Sequence, residues 1–110
     1  MRHHDFDAET FERKLTQEQD ALLVDVRTAQ EYDEGHLPGA VNIDIYNPDF
    51  FDRLGALDRT RPVYVYCHSG ARSYSAAQAL VQLGFGSVFN LQRGIMSWNG
   101  AIEQSVGVRR

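Results

Sequence analysis

The sequence predicts an α/β domain built on a largely parallel sheet. Three observations carry this: short apolar runs of strand length recur along the chain, helical spacing of apolar residues separates them, and Gly and Pro punctuate the joins. With 110 residues the chain is long enough for one buried core and too short for two, so residues 1–110 read as a single domain. Its 43% hydrophobic and 24% charged content is ordinary for a globular protein.

Phe11 and Leu15 lie four apart after Asp7, a cap residue, and predict a first short helix. Ala21-Leu22-Leu23-Val24-Asp25-Val26 is a continuous apolar run suited to a strand covered on both faces. Thr28-Ala29-Gln30-Glu31 has the form of a capping box, so a helix should follow and stop at Gly35 in the left-handed conformation. His36 to Ala40 reads as a turn through Pro38 and Gly39, and Val41 to Asp44 as a short strand. Asn47-Pro48 supplies a cap and an N1 proline for a helix that holds Phe50, Phe51 and Leu54 and ends near Gly55. Val63-Tyr64-Val65-Tyr66 is the strongest strand signal. Ala76, Ala77, Leu80 and Val81 mark one face of a helix closed by Gly84 and Gly86. Ser87 to Leu91 reads as another strand and Ile95 to Ile102 as a last helix.

The formal net charge of −4, with basic residues scattered, argues against a nucleic-acid partner, whose phosphates call for a basic stripe. Arg109-Arg110 is the nearest approach to a cluster and reads as a solvated terminal pair. No apolar run reaches the roughly 18–20 residues of a membrane span, and Met1 to Asp5 lacks the apolar stretch of a secretion signal. A cytoplasmic location is the expectation. Cys67 is the sole cysteine, which excludes an internal disulfide and any CxxC pair. His3 and His4 read as surface residues. No metal or organic cofactor is implied.

Chemistry concentrates in Cys67-His68-Ser69-Gly70-Ala71-Arg72-Ser73, between the strongest strand and a helix. Open α/β sheets place ligand sites at the carboxyl ends of their strands. Small side chains there let successive N–H groups curl around an anion, the helix N-terminus adds positive potential, and Arg72 adds a full charge. A thiol so placed should ionise below the roughly 8.5 of a free cysteine and act as a nucleophile at neutral pH. A lone cysteine is more often a small buried hydrophobe. The glycine, serine and arginine company tips this one toward function.

That loop resembles the active-site loop of the rhodanese homology domain. So do Leu23-Val24-Asp25-Val26-Arg27-Thr28, Glu31-Tyr32, Gly35 through Ile43, and Gly94-Ile95 with Trp98. The match in order and spacing runs from about Phe6 to Ala101. The resemblance implies a mainly parallel, five-stranded sheet with helices on both faces. It also implies transfer of a sulfane sulfur from a donor such as thiosulfate to cyanide or a thiol, with Cys67 as persulfide carrier. His68, Ser69, Gly70, Ala71 and Arg72 would wrap the sulfur and its donor, while Asp25, Arg27 and Ser73 would support the loop. Where some members carry a second basic residue in the loop, this chain has His68 and Ser69. The expected partners are a small donor, thiosulfate or a persulfide, and a thiol acceptor that could belong to another protein.

Two other readings stay open. One is a non-catalytic interaction module, which would need neither Cys67 nor Arg72. The other is a cysteine-dependent phosphatase or arsenate reductase. Related phosphatases separate Cys and Arg by five residues; here four intervene, a tighter cradle. A single cysteine also lacks the resolving partner that a dithiol oxidoreductase needs. Glu31 reads as the capping carboxylate, His36 as a structural hydrogen-bonder, and Trp98 as core or lid packing.

Overall fold

The computed structural model describes residues 2–105, so Arg109-Arg110 lies outside the described residues. Five parallel strands form one sheet: β1 (His4–Phe6), β2 (Leu22–Asp25), β3 (Val41–Asn42), β4 (Val63–Tyr66) and β5 (Val88–Leu91). Their order is β1-β5-β4-β2-β3. Four helices, α1 (Ala8–Gln17), α2 (Ala29–Glu34), α3 (Phe50–Gly55) and α4 (Ala71–Gln82), connect them, and one 3₁₀ turn follows at Ile95–Ser97.

Alternation along the strands explains the two cores. Val24, Val26, Val63, Val65 and Cys67 face one side, where Phe50 and Leu54 of α3 and Ala76, Ala77 and Leu80 of α4 cover them. Leu23, Tyr64 and Tyr66 face the other, against Phe11 of α1, Leu37 and Leu91, with Tyr32 of α2 and Trp98 at the margin. Because both faces are buried, all four residues of β4 are apolar or aromatic and none is exposed. The chain leaves β2 toward β3 and leaves β4 in the opposite direction, toward β5. The crevice between the carboxyl ends of β2 and β4 is therefore the switch point at which such sheets hold ligands.

Local signals account for the first two helices. Asp7 caps α1 by accepting from the Thr10 amide at 2.9 Å. Thr28 and Glu31 complete a reciprocal capping box on α2, with Glu31 N to Thr28 Oγ1 at 3.2 Å and Thr28 N to Glu31 Oε1 at 3.0 Å.

Three local expectations need correction. Gly35 ends α2 in an extended conformation (φ 167°), not a left-handed one, and its carbonyl accepts from Arg27. The α3 helix begins two residues after Pro48, with Asp49 at its N-cap; Asn47 contributes its backbone carbonyl to the preceding turn. The Ile95–Ile102 segment is no helix beyond its 3₁₀ turn, since Trp98 is already extended. His4, read as a surface residue, is exposed, and with Asp5 and Phe6 it forms the edge strand β1, which no spacing predicts.

Candidate active site

Cys67 is the first residue past β4 and is fully buried. Its side chain falls on the α4 side of the sheet, so Sγ meets the start of that helix. The Gly70 amide donates to Sγ at 3.1 Å, the Ser73 amide at 3.3 Å and the Ser73 hydroxyl at 3.3 Å. Ser73 lies in the first turn of α4, where backbone N–H groups lack an intrahelical acceptor and are free to serve an anion. Burial is the largest influence on this thiol and opposes ionisation. The bonds from Ser73, Gly70 and the Ser69 amide together outweigh it, and the thiol ionises below its ordinary value. The amides thus point inward, at the sulfur. His68, Ser69 and Ala71 are exposed and form the outer side of the loop.

The curl depends on glycine. Gly70 has φ 106°, and a Cβ there would sit on the carbonyl oxygen of Gln92. The Gln92–Met96 strip lies flat against the loop: the Ile95 amide donates to Cys67 O at 2.9 Å and the Met96 amide to His68 O at 3.1 Å. Those two bonds fasten the start of the segment to the loop, and the single turn they hold ends at Trp98, whose backbone is extended. Gly94 (φ 65°) permits the approach, because a Cβ there would meet the same two carbonyls.

Arg72 is not the free guanidinium the sequence suggested. It forms a bidentate pair with Glu31, Nη1 to Oε1 at 2.8 Å and Nη2 to Oε2 at 3.0 Å. The pair draws the Glu31 carboxyl down to about 2, chiefly through the Arg72 hydrogen bonds, and raises Arg72 further above its ordinary range. Glu31, read only as a cap, therefore also joins α2 to the loop. Nothing in the spacing marks that link, since the partners are 41 residues apart.

Asp25 and Arg27 are buried beneath the loop. Arg27 Nη2 reaches Asp25 Oδ2 at 2.7 Å and Gly35 O at 2.6 Å, while its Nε lies 3.0 Å from Asp25 Oδ1. Its guanidinium also stands over the Tyr66 ring, 5.6 Å from the centroid. Burial alone would ease deprotonation of Arg27, but the Asp25 carboxylate overrides it and raises the value. The Asp25 carboxylate and, first of all, burial raise Tyr66 well above the usual phenol range.

Two open cavities flank the loop. One, of about 410 Å³, is lined by Arg27, Glu31, Glu34, Gly35, His68 and Ile95. The other, of about 470 Å³, is lined by Ser69, Arg93, Met96 and Ser97. Among the described residues no cluster of three or more His, Cys, Asp or Glu could hold a metal ion, and no helix is long and apolar enough to cross a membrane. His36, read as structural, is buried, stacks on Tyr32 with ring centroids 3.8 Å apart and places Nδ1 2.8 Å from Tyr32 O.

The family model of the rhodanese-like domain matches residues 7–101. A sulfurtransferase of Allochromatium vinosum is 38% identical over 95 residues, covering 86% of this chain and 87% of that protein. A thiosulfate sulfurtransferase of Shewanella oneidensis is 34% identical over 88 residues, covering 80% of this chain and 85% of that protein. In three dimensions, the solution structure of a rhodanese-like domain from Anabaena superposes with a TM-score of 0.81 at 29% identity. That alignment covers 100% of this chain and 85% of the other.

Proposed function

The chain belongs to the rhodanese-like domain family, and we propose that it moves a sulfane sulfur from an anionic donor such as thiosulfate to a thiol or cyanide through a persulfide on Cys67. The observation that carries this reading is the set of inward donors on Sγ: two amides and a hydroxyl around one buried sulfur. Such a cradle favours a thiolate, and it would equally hold the negative outer sulfur of a persulfide.

Two steps follow. The Cys67 thiolate attacks the outer sulfur of thiosulfate, an S–S bond forms, and sulfite leaves with the electron pair of the broken bond. An acceptor nucleophile then takes the outer sulfur and returns Cys67 to the thiolate. This is covalent catalysis with ping-pong kinetics. The Asp25–Arg27 pair holds the carboxyl end of β2 beneath the loop, and Glu31 clamps Arg72. The loop is thereby shaped before the donor arrives.

Phosphatase chemistry is disfavoured by the same geometry. A phosphate would require Arg72 to turn over Sγ, and its guanidinium is instead engaged on both nitrogens by Glu31. The test is intact-mass measurement after incubation with thiosulfate. One added sulfur atom, removable by reductant and absent from Cys67→Ser, is the expected result. Uptake by the Ser variant, or none by the parent protein, overturns the reading.

A further inference from the structure

We propose that Arg93 is the specificity residue for the acceptor: it binds the carboxylate of a low-molecular-weight thiol and so brings the acceptor sulfur to the Cys67 persulfide. The inference rests on the sulfurtransferase reading above and extends it to the class of acceptor.

The placement comes from the backbone. Because Ile95 and Met96 donate to the carbonyls of Cys67 and His68, the strip from Gln92 is pressed against the loop. Arg93, Met96 and Ser97 emerge beside Ser69. They line the cavity of about 470 Å³, into which no carboxylate projects among the described residues. Arg93 itself is exposed and makes no ion pair or side-chain hydrogen bond among the described residues. The two other guanidinium groups beside the loop are both occupied, Arg27 by Asp25 and Arg72 by Glu31.

In the opposite cavity Arg27 and Glu31 are already paired, with Asp25 and Arg72, and the charge left without an ion pair is that of Glu34, which disfavours an anion there. Charge therefore directs an anionic ligand to the Arg93 side, where the guanidinium fork suits a carboxylate. Met96, 65% exposed, offers a soft apolar surface to the methylenes and sulfur of such a ligand. The cavity is larger than cyanide needs and is of the size that takes small organic ligands.

The transfer itself balances without a further reactant. The acceptor thiolate attacks the outer sulfur of the Cys67 persulfide, a new S–S bond forms, and the bond to Cys67 Sγ breaks. Sγ keeps the electron pair as a thiolate, and the product leaves as the acceptor's persulfide.

The test uses full-length protein loaded with sulfur from thiosulfate and freed of donor. Single-turnover discharge is compared for 3-mercaptopropionate and 3-mercaptopropan-1-ol, which share a carbon count and differ in the carboxylate. In Arg93→Gln the ratio of the two rate constants should fall about 3- to 10-fold, the size of one charge-assisted contact at a solvated site. Arg93→Lys should lie between, and added salt should lower the ratio in the parent more than in Arg93→Gln. A ratio that Arg93→Gln leaves unchanged, on protein that has taken up sulfur normally, overturns this proposal and leaves the sulfurtransferase reading standing. Failure of Cys67 to take up sulfur overturns both.

Discussion

Two arginine–carboxylate pairs stand on either side of the Cys67 loop's base and rim, and they are built for different ends. Asp25–Arg27 is sealed, with side chains 0% and 6% exposed, and is tied further to Gly35 O and the Tyr66 ring. Glu31–Arg72 is bidentate too, but its side chains are 32% and 23% exposed. A charge taken out of water and then deprived of its partner is costly, whereas a half-solvated pair is screened. The contrast teaches that the buried pair holds the end of β2 in place and that the rim pair sets the charge the loop presents.

Breaking the buried pair is the largest expected effect. Asp25→Ala leaves the Arg27 guanidinium without its carboxylate in a closed site and should cost about 3–5 kcal/mol, read as a shift of the urea midpoint. A loss of less than about 1 kcal/mol, the ordinary value of a surface pair, would erase the distinction between the two pairs.

Gly70→Ala strikes the loop between them. A side chain at φ 106° is strained, and its Cβ would collide with the Gln92 carbonyl, so the loop or the strip must move. A stability loss of about 1–3 kcal/mol is expected. It should be accompanied by slower sulfur uptake from thiosulfate, because the Gly70 amide would no longer sit on Sγ. Normal uptake rates in a destabilised variant would show that the amide cradle does not depend on this turn.

Glu31→Gln sharpens the contrast from the other side, with an expected cost near 1 kcal/mol after screening. The sign with pH is set by the depressed carboxyl. Its folded value of about 2 lies below the ordinary 4.5, so the pair's contribution is fully present above 4.5 and fades as pH falls toward 2. Urea unfolding at stepped pH should therefore show parent and variant converging across that window. Parallel profiles would mean the charge on Glu31 contributes nothing.

What the sequence disclosed follows from where each signal resides. The β4 strand was legible because four successive buried residues need no partner to be recognised. The capping box on α2 and the Cys67 loop were legible because their partners lie within a few residues of one another. The edge strand β1 was not, since two of its three residues are polar and exposed and only the pairing with β5 makes it a strand. The false helix at Ile95 failed for a related reason: its apolar spacing reflects Ile95 and Trp98 packing on the core, which an extended Trp98 achieves as well as a helical one. The Arg72–Glu31 clamp and the exposed Arg93 beside Ser69 depend on contacts no spacing encodes.

The smallest effect isolates one donor on the sulfur. Ser73→Ala removes the hydroxyl that reaches Sγ at 3.3 Å while leaving the buried Ser73 amide in place. The hydroxyl is the strongest of the groups that favour ionisation of Cys67, so its loss moves the thiol's titration upward. At neutral pH sulfur uptake from thiosulfate should slow about 3- to 10-fold, the worth of one ordinary hydrogen bond. Above the titration of both proteins the rates should meet, because each sulfur is then a thiolate. A deficit that persists undiminished at alkaline pH would assign the Ser73 hydroxyl to the shape of the loop, leaving the charge on Cys67 to the backbone amides.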